Sequence, residues 1–350
     1  MDTKSVQRVE RARLGDWRWW LWAISVSLLL FSCSDDATCP TAGEDQKLQE
    51  LIVRDIDYIA RTYFFLDNPE LIVADFEVLP REGSIDVYRS VEEWWVVAES
   101  LDVAYGAAYI DSIGDGSEIG TGDGWDQKQF ELLRPGEDYR FILDPHTEDV
   151  LGIELTRALW YNEALAVAYV NMRGDTIGDF GKPFSYDENN PLLLELVWPA
   201  YAFPDGPFGY TWSYMIRNNY NMGVTNIDPR SLEVEIHEYA NRVDTWRPES
   251  SSIPWIRIFG LDQTDDTGVG PPDGKVDLTR GVIDLVRGIL TFPSLTPFDP
   301  DSALVEYWTD GEFAFTGQYA DLKNPELYTD HPESQSVQSK FSIVIRHEPR

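Results

Sequence analysis

The sequence predicts a mainly β fold, with one or two antiparallel β-sandwich-like domains and few short helices. Short apolar runs recur between residues 129 and 183 with turn-forming residues between them, a spacing typical of sandwiches. In the run 231–239, apolar Leu232, Val234 and Ile236 alternate with polar Glu233, Glu235 and His237, which predicts a strand with one buried face. Aromatic residues make up 13% of the 350 residues and favour strands as well.

The N-terminus has the build of an export signal. Five basic residues precede the uncharged apolar run 21–31, which is about half of the ~20 residues that a membrane-spanning helix needs. The run ends in Leu30-Phe31-Ser32-Cys33, close to the lipobox of bacterial lipoproteins. We therefore interpret residues 1–32 as a lipoprotein signal peptide and Cys33 as the lipid attachment site. Two alternatives stay open: an uncleaved anchor helix, or a Cys33–Cys39 disulfide after cleavage elsewhere.

The chain beyond the signal divides by composition. Residues 33–49 are small, polar and acidic, and they predict a flexible tether. Residues 50–128 form an expected N-terminal β-rich domain with strand-like runs at 84–89 and 94–98, while the run 52–65 fits a short strand or a helix. The glycine-rich stretch 114–126 predicts a loop.

Residues 129–310 are expected to form a second β domain. Strand-like runs lie at 138–143, 150–155, 165–170 and 191–198; a helix over 158–170 is the alternative for the third. The stretch 211–222 fits one turn of helix, and further apolar runs lie at 255–259 and 288–292. Residues 311–350 are polar and suggest a C-terminal tail or the start of a missing unit.

The formal net charge of −33 restricts the partners of the chain. A strongly acidic surface repels nucleic acid and anionic lipid head groups and attracts divalent cations. Nucleic-acid binding is therefore excluded, and membrane association is expected through the lipid anchor alone.

One loop could bind calcium. Asp262, Asp265, Asp266, Asp273 and Asp277 lie within 16 residues that also contain turn-forming glycines, and calcium prefers several carboxylate and carbonyl oxygens. The spacing departs from the ordered calcium loop, because Val269, Pro271 and Arg280 fall at ligand positions. An acidic, solvated turn is the alternative. A weaker candidate is formed by Asp111, Asp115 and Asp123.

Several aromatic residues are candidates for a sugar-binding or peptide-binding groove. The best placed are Trp198, Trp212, Tyr214 and Trp255, with Trp94 and Trp95 as further candidates. The alternative is that each belongs to the core, where an aromatic residue within a strand run is usually found.

The sequence indicates no catalytic machinery, and we expect a protein that is not an enzyme. It has no Gly-x-Ser-x-Gly elbow, and no two of its four histidines have a metal-ligand spacing. The run Gly120-Thr-Gly-Asp-Gly lacks the lysine of a phosphate-binding loop. Calcium is the one cofactor that we consider.

Four stretches between about 130 and 300 resemble the N-terminal soluble region of the SprA (Sov) family. These are Gly136-Glu-Asp-Tyr-Arg with Leu165-Ala-Val-Ala-Tyr; Trp212-Ser-Tyr-Met-Ile-Arg-Asn-Asn-Tyr-Asn-Met-Gly; Ile227-Asp-Pro-Arg-Ser-Leu-Glu-Val-Glu-Ile; and Leu261-Asp-Gln followed by Pro272-Asp-Gly-Lys-Val-Asp and Gly288-Ile-Leu-Thr-Phe-Pro-Ser-Leu-Thr-Pro-Phe. Their order and spacing are similar to those of the family, whose members are several times longer.

The resemblance implies a non-catalytic scaffolding or recognition protein connected with type IX secretion and gliding motility. It implies a location at the outer membrane, on its periplasmic or surface face. The partners would be an outer-membrane barrel or secretion-complex proteins and exported cargo. We read the chain as a lipid-tethered version of this unit, or as part of a split gene. The rival hypothesis is a calcium-dependent carbohydrate-binding or adhesive surface lipoprotein.

Overall fold

The computed structural model describes residues 48–69, 72, 76–91, 103–109, 126–144, 147–184, 187, 189–205, 209–246, 252–278, 281–313, 317–331, 334 and 336–348. These residues are rich in strands and contain few, short helices, so the predicted mainly β class is confirmed. The strands pair mostly antiparallel. No helix in these ranges is long and apolar enough to cross a bilayer.

Seventeen strands are assigned within the described ranges. They are β1 Gln49–Arg54, β2 Tyr63–Phe65, β3 Pro80–Val91, β4 Val103–Tyr109, β5 Asp126–Leu132, β6 Tyr139–Leu143, β7 Val150–Leu155, β8 Leu165–Asn171, β9 Thr176–Ile177, β10 Leu192–Trp198, β11 Asn219–Asn221, β12 Glu233–Glu238, β13 Thr245–Trp246, β14 Ile253–Pro254, β15 Ile283–Asp284, β16 Ile289–Thr291 and β17 Phe341–His347. The α-helices whose first and last residues are both described are α1 Trp255–Ile258, α2 Ser302–Trp308, α3 Gly317–Leu322 and α4 Glu326–Thr329. Two 3-10 helices lie at Phe76–Val78 and Gly209–Tyr214.

Five strands pair in a closed ring. Around the ring the order is β3, β5, β4, β10 and β8, and β8 pairs again with β3. All pairings are antiparallel except that of β10 with β4. Leu192, Leu194 and Leu196 of β10 pack with Phe130 in one hydrophobic cluster. Gly106 of β4 is required there, because a Cβ atom would lie only 2.7 Å from the Phe130 ring.

The ring crosses the expected boundary between 50–128 and 129–310. β3, β4 and β5 precede or span residue 128, whereas β8 and β10 follow it. The described residues all belong to one compact unit, Gln46–Arg350. Composition suggested a boundary near residue 128, but strands on its two sides pair with each other. Composition could not show this, because it carries no information on which strands pair.

The last strand is an integral part of the fold. β17 lies between β1 and β12 and pairs antiparallel with both. Its first five residues, Phe341–Ile345, are buried. The expectation that residues 311–350 form a polar tail or begin a missing unit is therefore corrected. The short apolar run in this region forms the central strand of a sheet, and α3 and α4 also lie in this region.

Three smaller sheets complete the described structure. They are β2-β7-β6, β11-β16-β15 and the pair β13-β14. Isolated bridges from Tyr58 to Tyr220 and from Phe64 to Met215 join the N-terminal residues to the segment around 212–222. The run 255–259 is helical at α1 and not extended, with Trp255, Ile256 and Ile258 all buried.

Candidate functional site

An aromatic pocket of about 290 Å³ opens where distant parts of the chain meet. Its lining residues are Tyr58, Ala60, Arg61, Tyr161, Trp198, Ala202, Trp212, Met215 and His331. They come from both ends of the described chain and from its middle. A concave site with apolar walls and a few polar groups is the general form of a small-molecule site.

A β-bulge places Trp198 in the pocket. The register between β10 and β8 shifts between Leu196 and Trp198. Leu192, Leu194 and Leu196 face one cluster, and continued alternation would send Trp198 to the same side. Instead Trp198 packs in the larger core cluster on which the pocket lies. Bulges commonly re-aim a side chain in this way.

The 3-10 helix Gly209–Tyr214 supplies Trp212. Gly209 begins this helix against the Pro204 carbonyl, where a Cβ atom would overlap the backbone. Met215 follows the helix, and its Sδ accepts a hydrogen bond of 3.1 Å from the Arg61 backbone N–H. Arg61 has a φ of +55°, as does Tyr201, an exposed tyrosine close by. Such left-handed backbone is strained for side-chain-bearing residues and is often found at functional sites.

Aromatic rings lead from the core to the surface through the pocket. Trp198 and Trp212 have centroids 5.3 Å apart, and the His331 ring stacks on Trp212 at 5.9 Å and 28°. Phe203 lies 5.8 Å from His331 and also 5.8 Å from Tyr161. These rings therefore form a continuous row from the buried Trp198 to the exposed Tyr161.

The outer rings form an exposed rim. Tyr161, Tyr201 and Phe203 are 45%, 57% and 48% exposed, and Tyr161 meets Tyr201 edge-on at 5.1 Å. The Tyr201 N–H also donates to the Tyr161 carbonyl at 2.8 Å. A contiguous group of exposed aromatic side chains beside a cavity is typical of a recognition surface.

A buried cation lies beneath the pocket. The Arg217 guanidinium carbon lies 4.9 Å from the centroid of the Trp212 ring and 6.0 Å from that of Tyr58. Its Nη2 donates to the Trp212 carbonyl at 2.6 Å. Burial lowers the pKa of Arg217, and the neighbouring Tyr58 hydroxyl opposes that effect. Within the described ranges no carboxylate forms an ion pair with Arg217.

The candidate calcium loop uses its two buried carboxylates internally. Asp262 accepts hydrogen bonds from the N–H groups of Asp273 and Gly274, at 3.2 and 3.0 Å. Asp277 accepts from the Gln263 and Thr264 N–H groups and from the Thr264 hydroxyl. Burial raises the pKa of Asp262 to about 6, although its two hydrogen bonds oppose the rise.

The other carboxylates of the loop are also partnered. Asp265 accepts from the Thr267 and Gly270 N–H groups and from the Thr267 hydroxyl, and Asp266 pairs with Lys275 at 3.2 Å. No three acidic, histidine or cysteine side chains among the described residues are grouped as metal ligands. Asp273 accepts from the Lys275 N–H at 3.0 Å, so all five carboxylates, Asp262, Asp265, Asp266, Asp273 and Asp277, have partners within the loop, as expected of an acidic turn. Calcium binding by this loop stays a prediction. Asp111, Asp115 and Asp123 lie outside the described residues.

The predicted aromatic residues separate into two groups. Trp198 and Trp212 line the pocket, whereas Tyr214 is buried beside it without lining it. Trp255 is a core residue: its ring stacks with Phe259 and its Nε1 donates to the Val243 carbonyl. The expectation that Trp255 belongs to a binding groove is therefore corrected. Trp94, Trp95 and Cys33 lie outside the described residues.

Sequence reasoning did not identify Tyr58, Arg61, Tyr161 and His331 as pocket residues. They are isolated in the sequence and share no motif. One sequence signal was present for Tyr161, since the adjacent aromatic residues Trp160 and Tyr161 directly precede the polar pair Asn162-Glu163. In the structure both aromatic side chains are exposed. Large aromatic residues in a polar turn are not needed for packing and so suggest a contact surface.

Comparison with known proteins returned no relative. No family model, no curated protein and no solved structure matches the chain.

Proposed function

We propose that this chain is a non-catalytic, lipid-anchored recognition protein of the bacterial envelope that acts with a secretion system of the SprA type. Its anchor is Cys33, and its partners are an outer-membrane barrel of that system and the cargo that the system exports. The proposal combines the sequence resemblance with the geometry of the aromatic pocket.

The pocket with its exposed aromatic rim is the observation that carries the proposal. The stretch Trp212–Gly223, which resembles the SprA family, supplies Trp212 and Met215 to the lining and Arg217 beneath it. The rim residues Tyr161, Tyr201 and Phe203 are too exposed to serve the core. Aromatic anchors around a cavity are the common form of a binding hot spot.

Co-purification tests the partner. The full chain, tagged and expressed in its own envelope, is recovered from detergent-solubilised membranes and its partners are identified by mass spectrometry. We expect an SprA-type barrel protein with the unmodified chain and at least a severalfold loss with a Tyr161→Ala, Phe203→Ala double variant. Tyr239→Ala is the matched control, because Tyr239 is also half exposed but does not line the pocket. Absence of any such barrel protein would count against the proposal.

Labelling with a radioactive fatty acid tests the anchor. We expect the label on the unmodified chain and none on a Cys33→Ser variant. Equal labelling of the two proteins would refute attachment at Cys33, whatever the partner.

A carbohydrate-binding surface lipoprotein is the second candidate function. The exposed rings of Tyr161, Tyr201 and Phe203 favour it, because the C–H faces of sugars pack on aromatic rings. The partnered carboxylates of the 262–277 loop do not favour a calcium requirement. We therefore expect that any binding to a glycan array is unchanged when a chelator is added. Binding that is lost with the chelator would support calcium-dependent carbohydrate recognition instead.

A further inference from the structure

One edge of the sheet β1-β17-β12 is open and exposed. β1 pairs with β17 on one side, and no other described strand pairs with its outer side. Leu51 and Ile52, at the centre of β1, are 36% and 45% exposed. Natural sheet edges are usually protected by lysines, prolines or bulges, and β1 has none of these between Gln49 and Arg54. The strand therefore presents an apolar edge with which another strand can pair.

The hydrogen bonds that flank β1 show which of its backbone groups point outward. The Asp55 N–H donates to the Phe341 carbonyl, and these two residues continue the register of the β1–β17 pair. Bonding alternates along an antiparallel pair, so the odd-numbered residues of β1 bond to β17 and the even-numbered ones face away. Arg54 agrees with this pattern, because its N–H donates to the Asp57 carboxylate and its carbonyl accepts from the Asp57 N–H.

Glu50 and Ile52 therefore direct two N–H and two C=O groups to the open edge. None of the four groups has a hydrogen-bond partner among the described residues. The opposite edge of the sheet is different: Val234 and Ile236 of β12 are only 7% and 1% exposed, and the Glu238 N–H and C=O groups are bonded within the turn that follows. Of these two edges, β1 is thus the one that another chain can reach.

The charges along this edge are balanced, although the chain as a whole is strongly acidic. Glu50 pairs with Arg346 at 2.8 Å, and Arg54 pairs with Asp57 at 2.7 Å. Two copies of the edge can therefore meet without bringing unpaired like charges together. A strongly basic or acidic partner, in contrast, would find no unpaired charge of β1 to recognise.

We propose that two copies of this chain associate through β1, as antiparallel strands with a twofold axis at Leu51. Glu50 of each copy then lies opposite Ile52 of the other, and the free groups of these residues bond to one another in both pairs. An axis at Ile52 fits less well, because it would place Glu50 opposite Arg54, whose backbone groups are already bonded. The same patch serves in both copies, as in most closed dimers.

The dimer joins two three-stranded sheets into one continuous sheet and covers Leu51 and Ile52. It also displays two copies of the aromatic pocket, which strengthens binding to a partner with repeated sites. The inference goes beyond the proposed function and stands without it, since no residue of β1 lines the pocket.

Sedimentation velocity of the full chain in detergent, over a range of concentrations, tests the dimer. We expect a monomer–dimer equilibrium that Ile52→Lys weakens about tenfold or more, because each copy then carries a charge into the interface. Leu143→Lys is the matched control and is expected to have no effect, since Leu143 is 49% exposed on another edge strand, β6. Thermal unfolding checks that both variants are folded. A chain that is monomeric throughout, or equal weakening by both variants, would overturn the inference.

A cysteine cross-link tests the position of the axis. Leu51→Cys is made in a Cys39→Ser background, and Leu143→Cys in the same background is the control. Residues that face each other in a non-hydrogen-bonded pair have Cα atoms about 4.5 Å apart, within the range of a disulfide. In membranes under mild oxidation we expect a disulfide-linked dimer with Leu51→Cys and none with Leu143→Cys. No cross-link at residue 51, or equal cross-linking of the two proteins, would refute the axis. Failure of the barrel co-purification with the cross-link intact would overturn the secretion role and leave the dimer standing.

Discussion

At the scale of single residues, buried carboxylates hold the chain together by accepting backbone hydrogen bonds. Asp55 is fully buried at the end of β1, and its Oδ2 accepts from the N–H groups of Lys340 and Phe341 and from Asn324 Nδ2. Two of these contacts join the N-terminal strand to the start of β17, and the third joins it to Asn324 between α3 and α4. Burial raises the pKa of Asp55, and these hydrogen bonds oppose the rise.

Replacing Asp55 tests this role. Asp55→Ala leaves three buried donors without their acceptor, and we expect it to lower the free energy of unfolding by about 3 kcal/mol or more. Asp57→Ala is the control, because Asp57 pairs with Arg54 at the surface, and exposed pairs contribute about 1 kcal/mol or less. Urea denaturation measures both. Equal losses in the two variants would contradict the role of Asp55.

Asp262 makes the stability of the fold depend on pH. Its pKa in the folded protein, about 6, lies above the ordinary value of 3.8 for an aspartic acid side chain. The fold therefore prefers the protonated carboxyl, and this contribution is lost as the pH rises from about 4 through 6. In Asp262→Asn the site no longer titrates. We expect the variant to gain stability relative to the unmodified chain between pH 4 and 7, by up to about 3 kcal/mol.

Asp265→Asn is the control for this prediction. Hydrogen bonds from Thr267 and Gly270 lower the pKa of Asp265, so its contribution has the opposite sign and changes below pH 4. Denaturation curves at several pH values measure both variants. A difference between Asp262→Asn and the unmodified chain that does not change with pH would show that Asp262 titrates normally.

At the scale of elements, tight turns determine which strands can meet. The β15–β16 hairpin closes at Gly288, whose φ is +69°. Gly288 N–H donates to the Asp284 carbonyl, and its own carbonyl accepts from Met222. A Cβ atom here would overlap the Val224 carbonyl. The glycine thus serves both a left-handed turn and a close approach of two backbones.

Two glycines in this region give a matched test. Gly288→Ala is expected to destabilise the fold by about 3 kcal/mol or more, because backbone strain and a clash with a carbonyl add together. Gly281→Ala has a similar φ of +72° but open space around the new methyl group, so we expect about 1–2 kcal/mol. Thermal unfolding of both proteins measures the difference. Similar losses would mean that the backbone at 224 moves away easily.

At the scale of the whole molecule, the two ends of the described chain close the fold together. β17 pairs with β1 on one side and β12 on the other, and Ile343 and Ile345 are fully buried. Arg346 pairs with Glu50 of β1 and Glu235 of β12 across the same sheet. The stability of the N-terminal strand therefore depends on residues near the other end of the chain.

Removing β17 tests this closure. We expect a chain that ends at Lys340 to lose cooperative thermal unfolding, because two edge strands and their apolar faces lose their common partner. A chain that ends at His347 retains the strand and is the control. Circular dichroism melting curves compare the two. A cooperative transition in the shorter chain would show that residues 341–347 are dispensable.

The amino-acid sequence by itself determined the β class and several strands. The alternation in 231–239 reappears as β12, since periodicity records which face of a strand is buried. The continuous apolar run 165–170 reappears as β8, which is buried on both faces. It also identified Trp198 and Trp212, but it could not separate them from the core residue Trp255. Tertiary structure alone decided that distinction and brought Tyr58, Tyr161 and His331 to the same pocket. The reason is physical: local pattern reports burial of one element, whereas a cavity depends on a bulge at Trp198 and on contacts between segments far apart in the chain.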